Sequence, residues 1–355
     1  MTNKKKQQLV IVGMSGGVDS SVTAALLKKH YRVAGVFMKN WSKNIQGCCN
    51  TDQDLADARR VANMLNIPFY VWNFENQYYN KVIKYFFNEY KAGRTPNPDI
   101  MCNKEIKFKL FLNKALRIGA DYVATGHYAR NILTNSYHLL KGIDPSKDQS
   151  YFLCTLGQKE LKHALFPIGE YKKTEIRKLA HKFKLPVAEK KDSQGICFIG
   201  KINVREFLQE NIKSKPGKIV DIKGNVLGQH PGSVYFTIGQ REGLDIKTGK
   251  GPFYVVGKDM EKNKVIVSTD VNDPLLWRRE FIITNISWVN KIKFLKQANV
   301  CIRYHHPDYA AKLEKVDKGI KVIFNKPQRA ITTGQSAVIY KNDELLGSGI
   351  IDKVF

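Results

Sequence analysis

The chain has 355 residues and a strongly basic balance, 58 Lys+Arg against 32 Asp+Glu, giving a formal net charge of +26. That length supports two or three domains with substantial cores, and the charge points to a polyanionic partner, nucleic acid first, unless compositional drift toward lysine produces it. No run reaches membrane-spanning length, Met1–Gln8 lacks an apolar signal core, and six cysteines without a Cys-x-x-Cys pair exclude a secreted disulfide framework, so the expected compartment is the cytoplasm.

In chain order, the apolar run Leu9–Val12 predicts a strand, followed by Gly13-Met14-Ser15-Gly16-Gly17-Val18-Asp19-Ser20 as a loop and Ser20–Lys29 as a helix. A strand, a Ser/Gly-rich turn and a helix N-terminus together aim backbone N–H groups at an anion. No Gly-Lys-Ser/Thr follows the glycines, so this is not the Walker loop of γ-phosphoryl transfer. It matches instead the loop of ATP enzymes that adenylate a carbonyl oxygen and release pyrophosphate.

Tyr31–Met38 reads as strand, Asp52–Leu65 as helix, Phe69–Asn73 as strand, Tyr78–Lys91 and Ile106–Ile118 as helices, and Asp121–Thr125 as strand. Strands spaced by helices predict a doubly wound parallel sheet, an α/β fold with ligands at the carboxyl ends of its strands. The character changes near Lys215. Short segments such as Ser233–Thr237, Tyr254–Val256 and Val265–Ser268 read as strands, and from about Glu280 the pattern is all β. Phe281–Trp288, Ala298–Tyr304, Ala310–Lys315, Ile320–Phe324, Ser336–Tyr340 and Leu345–Ile351 predict a small barrel. The expected domains are 1–212, an ATP-binding catalytic unit; 213–279, small and β-rich; and 280–355, the barrel.

Two of the cysteines (Cys48, Cys49, Cys102, Cys154, Cys197 and Cys301) stand in shaped loops. Pro96 and Pro98 forbid helix through Asn97, so a helix starting near Asp99 sets Cys102 in its first turn, where the dipole and Lys104 favour thiolate. Cys197 lies between Gly195 and Gly200 and follows Lys190-Lys191, again a setting that lowers a thiol pKa. Either cysteine taken alone is also compatible with a small buried hydrophobe. A four-thiolate zinc or iron–sulfur site would have to be assembled from scattered residues, and transient redox chemistry by one or two thiols is the favoured use. His305-His306 lacks partners at ligand spacing and reads as a surface pair.

SGGVDS (Ser15–Ser20), AGRTPNPDIMCNKEIKF (Ala92–Phe108), ATGHYAR (Ala124–Arg130), KDQSYFL (Lys147–Leu153), KDSQGICFIG (Lys191–Gly200) and PQRAITTGQSAVIY (Pro327–Tyr340) resemble the bacterial tRNA-specific 2-thiouridylase family over nearly the whole chain. The resemblance implies an adenine-nucleotide α-hydrolase-like first domain and a C-terminal barrel that touches tRNA. It implies ATP held by Gly13 to Ser20, the Met38 backbone and Gly126, with Asp19 helping to hold Mg²⁺ or the phosphates. Cys197 is then the persulfide carrier and Cys102 the second catalytic thiol, ending in a transient Cys102–Cys197 disulfide. Asn97, Pro98 and Asp99 meet the target uracil, Asp99 serving in proton transfer, as an N-cap, or as both. His127, Lys147, Asp148, Gln149, Arg303, Tyr304 and Gln335 are implied tRNA contacts; Arg303 and Tyr304 can share one RNA only at a strand end or bulge.

The implied reaction adenylates the C2 oxygen of the wobble uridine in the Glu, Gln and Lys tRNAs and installs sulfur supplied by a relay protein or a cysteine desulfurase. Two other readings remain: another pyrophosphate-releasing ATP enzyme, acting on tRNA or forming an amide, and a non-catalytic RNA-binding protein. Neither gives the two cysteine loops a task. Because the thiols are 95 positions apart and glycine brackets the second, the Cys197 loop is expected to lie beyond disulfide reach of Cys102, or to be poorly ordered, until tRNA docks.

Overall fold

The computed structural model describes residues 7–42, 51–192, 195, 197, 200, 202–249, 251–291 and 293–355. Cys48 and Cys49, and Ser193, Gln194, Ile196, Phe198 and Ile199 of the second cysteine loop, lie outside the described residues.

The chain forms β1 (Leu9–Gly13), β2 (Arg32–Lys39), β3 (Phe69–Asn73), β4 (Tyr122–Ala124), a hairpin of β5 (Ala129–Leu133) and β6 (Tyr137–Lys141), and a short β7 (Ala164–Leu165). Five of these make a parallel sheet in the order β3-β2-β1-β4-β7. Both faces of β1 are covered, as the unbroken apolar run requires. Ile11 packs with Val36, Met38, Cys102 and Phe111 on one side, while Val10 and Val12 pack with Phe37, Ala58 and Val61 on the other. The chain winds out from β1 through β2 and β3, then resumes on the opposite side with β4. The switch point therefore lies between β1 and β4, where such sheets open a crevice.

The first helix, α1 (Val18–Leu27), begins two residues earlier than the sequence suggests, inside the Gly-rich loop itself. The expected helix over 106–118 is the end of a longer one. It starts at Pro98 because the Asn97 side chain accepts hydrogen bonds from the Asp99 and Ile100 N–H groups and proline suits the first helical position. From there it continues through a π segment, Asn103–Phe111, to Leu112–Arg117.

After helix Val204–Asn211 come β8 (Gly217–Asp221), β9 (Val226–His230), β10 (Tyr254–Asp259) and β11 (Lys264–Ser268), a mixed sheet in the order β10-β11-β8-β9. The strand expected over 233–237 is instead a 3-10 turn, Ser233–Tyr235. Six further strands follow: β12 (Trp277–Trp288), β13 (Gln297–Cys301), β14 (Tyr309–Val316), β15 (Gly319–Arg329), β16 (Ser336–Lys341) and β17 (Glu344–Val354). Pairing of β12 with β17 closes them into a barrel filled by Phe281, Ile283, Val300, Leu313, Val322, Phe324, Ile339 and Ile351.

The β5–β6 hairpin has no counterpart in the sequence reading. It leaves the parallel sheet and adds to the barrel, Leu139 opposite Leu345, with His138 Nδ1 2.6 Å from Glu344 Oε1. No helix among the described residues is long and apolar enough to cross a membrane.

Candidate active site

Two chemical centres lie at the carboxyl edge of the parallel sheet. The first is the Gly-rich loop. Gly16 adopts φ +76°, and a Cβ there would fall 2.2 Å from the Asp54 carbonyl oxygen, so only glycine fits. Ser15 N–H donates to Ser20 Oγ at 3.1 Å, while the Ser20 and Ser21 hydroxyls donate back to the Gly17 carbonyl at 3.2 and 2.7 Å. Among the described residues a Cβ on Gly17 would meet only Ser15 Oγ, at 3.5 Å, which leaves room in front of the α1 N-terminus. That is the geometry of an anion cradle.

Gly126, just beyond β4, closes the other side. Its Cβ would lie 2.8 Å from the Ser20 nitrogen and 2.9 Å from the Asp19 carbonyl carbon. Met38 is buried at the carboxyl end of β2, its Cε 3.1 Å from the place of a Gly13 Cβ.

Asp19 is the hub of this centre. Its carboxylate accepts from Tyr128 Oη at 2.7 Å and from Lys173 Nζ at 2.8 and 2.9 Å. Lys173 also pairs with Asp192 at 2.7 Å, and Asp192 takes Lys147 and Arg177 at 2.9 Å each. Burial opposes ionisation of Asp192, but the bonds from Lys173 and Lys147 outweigh it and hold the carboxyl at about 2. Lys147, implied as a tRNA contact, thus stands beside the phosphate loop.

No group of three or more His, Cys, Asp or Glu suited to a metal occurs among the described residues. Among the described residues Asp19 supplies a carboxylate at the loop, the donor type that Mg²⁺ takes together with substrate phosphates, and here that carboxylate is engaged by Lys173 and Tyr128.

The second centre holds the thiols. Cys102 Sγ and Cys197 Sγ are 4.0 Å apart. The expectation that Cys197 lies out of reach of Cys102 is therefore corrected. Two bonds bring it in: Asp99 Oδ1 accepts the Cys197 N–H at 2.8 Å, and the buried Tyr78 hydroxyl donates to the Cys197 carbonyl at 2.6 Å. Asp99 is consequently no N-cap, a role taken by Asn97.

The thiols differ in acidity. Burial, then the neighbouring Cys197, pushes Cys102 well above the usual thiol range, contrary to the thiolate expected from its helix position. A hydrogen bond from the Cys102 thiol draws Cys197 down; burial opposes this and Lys107 lowers it further. None of the three expected cations supplies the charge, and Lys191 is exposed. Lys104 points to solvent, and Lys190 is held by Asp54 and Asp57 at 2.7 and 2.6 Å. Among the described residues the cation that lowers Cys197 is Lys107, five residues after Cys102 and inside the π segment.

Asp99 is raised by burial, with the Cys197 N–H and Lys107 pulling it back. His127, implied as an RNA contact, is buried: its Nδ1 lies 2.6 Å from Thr125 Oγ1 and its Nε2 3.4 Å from Lys107 Nζ. Burial, then Lys107, holds its pKa well below the normal histidine range.

The other implied RNA residues divide in two. Asp148 accepts from Gly142 N–H, Ser150 N–H and Ser150 Oγ, Gln149 Oε1 accepts from Tyr128 N–H, and Gln335 Nε2 donates to the Thr95 carbonyl at 2.9 Å. These shape the site from within; Gln335 ties the barrel to the loop that precedes Asn97. Arg303 and Tyr304 stand past the end of β13 in a turn, half-buried, with Tyr304 stacked 4.2 Å from Phe152 and facing Asp148 and Asp99. Tyr304 also lines a groove of about 610 Å³ with Arg130, Lys141, Asp148, Tyr151 and His305. Of the expected surface pair, His305 is exposed and His306 is half-buried, its carbonyl accepting from the Cys301 thiol.

Three consecutive residues join the centres. Gly126 abuts the α1 N-terminus, His127 meets Lys107, and Tyr128 bonds Asp19. Sequence reasoning missed Lys107, Tyr128, Lys173, Arg177 and Asp192 as members of the site. All but Lys173 and Arg177 fall inside the quoted motifs, which was the available signal.

Family models match along the chain: a tRNA methyl transferase HUP domain over residues 8–201, a tRNA methyl transferase PRC-barrel domain over 205–269, and an aminomethyltransferase beta-barrel domain over 278–351. The chain is 48% identical to a tRNA-specific 2-thiouridylase MnmA of Shouchella clausii, covering 99% of this chain and 98% of the relative. It is 47% identical to the protein of the same name from Bacillus subtilis, covering 100% and 98%. Among solved structures, the U34-tRNA thiolase NcsA of Methanococcus maripaludis matches 58% of this chain and 64% of its own at 19% identity, with a TM-score of 0.36.

Proposed function

The chain belongs to the tRNA-specific 2-thiouridylase family, and from that premise we propose that it adenylates the C2 oxygen of the wobble uridine of tRNA and replaces it with sulfur carried on Cys197. The observation that supports this most is the junction through Gly126, His127 and Tyr128, which sets a phosphate cradle beside a pair of unequal thiols. An ATP enzyme without sulfur chemistry would have no use for the second centre.

The C2 oxygen of uracil is a poor leaving group, and adenylation makes it leave as AMP. The α1 N-terminus and the loop Gly13–Ser20 receive the pyrophosphate, with Lys173 and Lys147 beside it. Mg²⁺ supplies charge neutralisation of the phosphates when bound, with Asp19 as its protein ligand. Sulfur then moves by thiol–disulfide chemistry. The terminal sulfur of a Cys197 persulfide anion bonds to C2, and the C2–O bond breaks as AMP departs. The Cys102 thiol, after losing its proton, attacks Cys197 Sγ. That bond forms as the sulfur–sulfur bond to the substrate breaks, releasing the 2-thiocarbonyl and a Cys102–Cys197 disulfide. An external thiol reductant restores the pair.

Asp99, raised by burial and beside both thiols, is positioned to move that proton. Asn97 and Pro98 begin the wall that meets the base, and Arg303, Tyr304 and Lys147 offer charge and stacking to the anticodon. The acceptors are the Glu, Gln and Lys tRNAs, and the donor is a sulfur-relay protein or a cysteine desulfurase.

The test is mass spectrometry of tRNA nucleosides after incubation with ATP, Mg²⁺ and a persulfide donor. Cys197→Ser is expected to lose 2-thiouridine and keep tRNA-dependent pyrophosphate release. Thiolation by that variant at the parent rate would overturn the assignment.

A further inference from the structure

Lys107 is partly buried, and its charge acts on Asp99, Cys102 and Cys197, whose two sulfurs lie 4.0 Å apart. His127 lies on its other side. Lysine can only donate, so His127 Nε2, 3.4 Å away, accepts. The neutral ring then carries its proton on Nδ1 and donates to Thr125 Oγ1 at 2.6 Å. His127 thus gives the ammonium an uncharged hydrogen-bond partner, beside the carboxylate of Asp99. Lys173 contrasts with this, since its partners Asp19 and Asp192 are both carboxylates.

We propose that Lys107, oriented by the Thr125–His127 pair, is a catalytic residue of sulfur transfer: its ammonium stabilises the anion on Cys197, first the thiolate that receives sulfur and then the persulfide that delivers it. The thiolate attacks the terminal sulfur of the donor persulfide, the donor's sulfur–sulfur bond breaks, and the donor leaves as its own thiolate. The negative charge returns to the terminal sulfur on Cys197 once the new persulfide loses its proton. Lys107 keeps its proton throughout, because burial, which opposes its charge, is outweighed by the two sulfurs and Asp99.

The proposal rests on the reading of Cys197 as the sulfur carrier, but its test does not require tRNA. Alkylation of Cys197 by iodoacetamide, resolved by peptide mass spectrometry, is followed across the thiol titration range in the full chain. Among the described residues, the titratable groups facing Cys197 in that titration are Lys107, Asp99 and Cys102, with His127 behind Lys107 and the Tyr78 hydroxyl on the Cys197 carbonyl.

Lys107→Met is expected to raise the Cys197 midpoint by about one pH unit or more, slowing alkylation at neutral pH about tenfold. Lys107→Arg is expected to restore most of that rate. Should Lys107→Met not fold, Lys107→Gln keeps a polar side chain of similar reach and gives the same reading. A folded neutral variant with the parent midpoint overturns the proposal. A shifted midpoint in a protein that does not thiolate tRNA would instead refute the functional reading and leave the electrostatic one standing.

Discussion

Two glycine substitutions in the phosphate centre separate steric from chemical requirements. Gly126→Ala places a methyl 2.8 Å from the Ser20 nitrogen, 2.9 Å from the Asp19 carbonyl carbon and 3.1 Å from Asp19 Cβ. The two closest atoms are backbone in the first turn of α1, so no side chain can rotate away. Relief requires the carboxyl end of β4 and the α1 N-terminus to part by roughly half an ångström, and overpacking of this kind costs about 1–3 kcal/mol. In a unit of this size each kcal/mol corresponds to about 2–4 °C in melting temperature.

Gly17→Ala is the counterpart. Among the described residues its methyl would meet only Ser15 Oγ at 3.5 Å, and the backbone is extended (φ −92°, ψ 168°), so alanine fits there without strain. That methyl projects into the space where phosphate is expected. Thermal denaturation and ATP titration of both variants provide the assay. Gly126→Ala is expected to lose several degrees and some ATP affinity, and Gly17→Ala to keep its melting temperature while ATP binding weakens about tenfold or more. Parent stability in Gly126→Ala, or parent ATP affinity in Gly17→Ala, would refute the geometry derived for the cradle.

Gln335→Ala removes the bond to the Thr95 carbonyl that ties the barrel to the loop before Asn97, a loss of about 0.5–1.5 kcal/mol; sulfur transfer is expected to slow while ATP binding holds, checked by single-turnover thiolation beside ATP titration. The Asp192 carboxyl, depressed to about 2 from an ordinary 3.8, contributes stability above that ordinary value and loses it as pH falls toward 2. Denaturant unfolding through that window is expected to show a shallower acid loss in Asp192→Asn than in the parent, and equal slopes would refute the pairing.

Much of the fold was legible because its signals are local. The apolar run Leu9–Val12, the glycines of the loop and the helix that follows lie within a single strand–loop–helix unit, where backbone sterics and patterning decide the outcome. The same holds for Pro98 and Asn97, which start the helix carrying Cys102, and for the alternating strands of the barrel. Even so, the hairpin Ala129–Lys141 joined a barrel whose strands begin more than a hundred residues later, and strand pairing over that distance leaves no mark in local pattern.

The chemistry divides along the same line. Residue types in loops of special shape singled out Cys102, Cys197 and the phosphate loop in the sequence, and the family resemblance added Asp99. Their charge states came from tertiary structure alone. Lys107 of the π segment, not Lys104, became the cation acting on the sulfurs, Asp54 and Asp57 drew Lys190 away, and burial inverted the expected acidity of Cys102. Electrostatic energy depends on distance through space and on local exclusion of water. Neither quantity exists until the chain has brought together residues as far apart in sequence as Cys102 and Cys197.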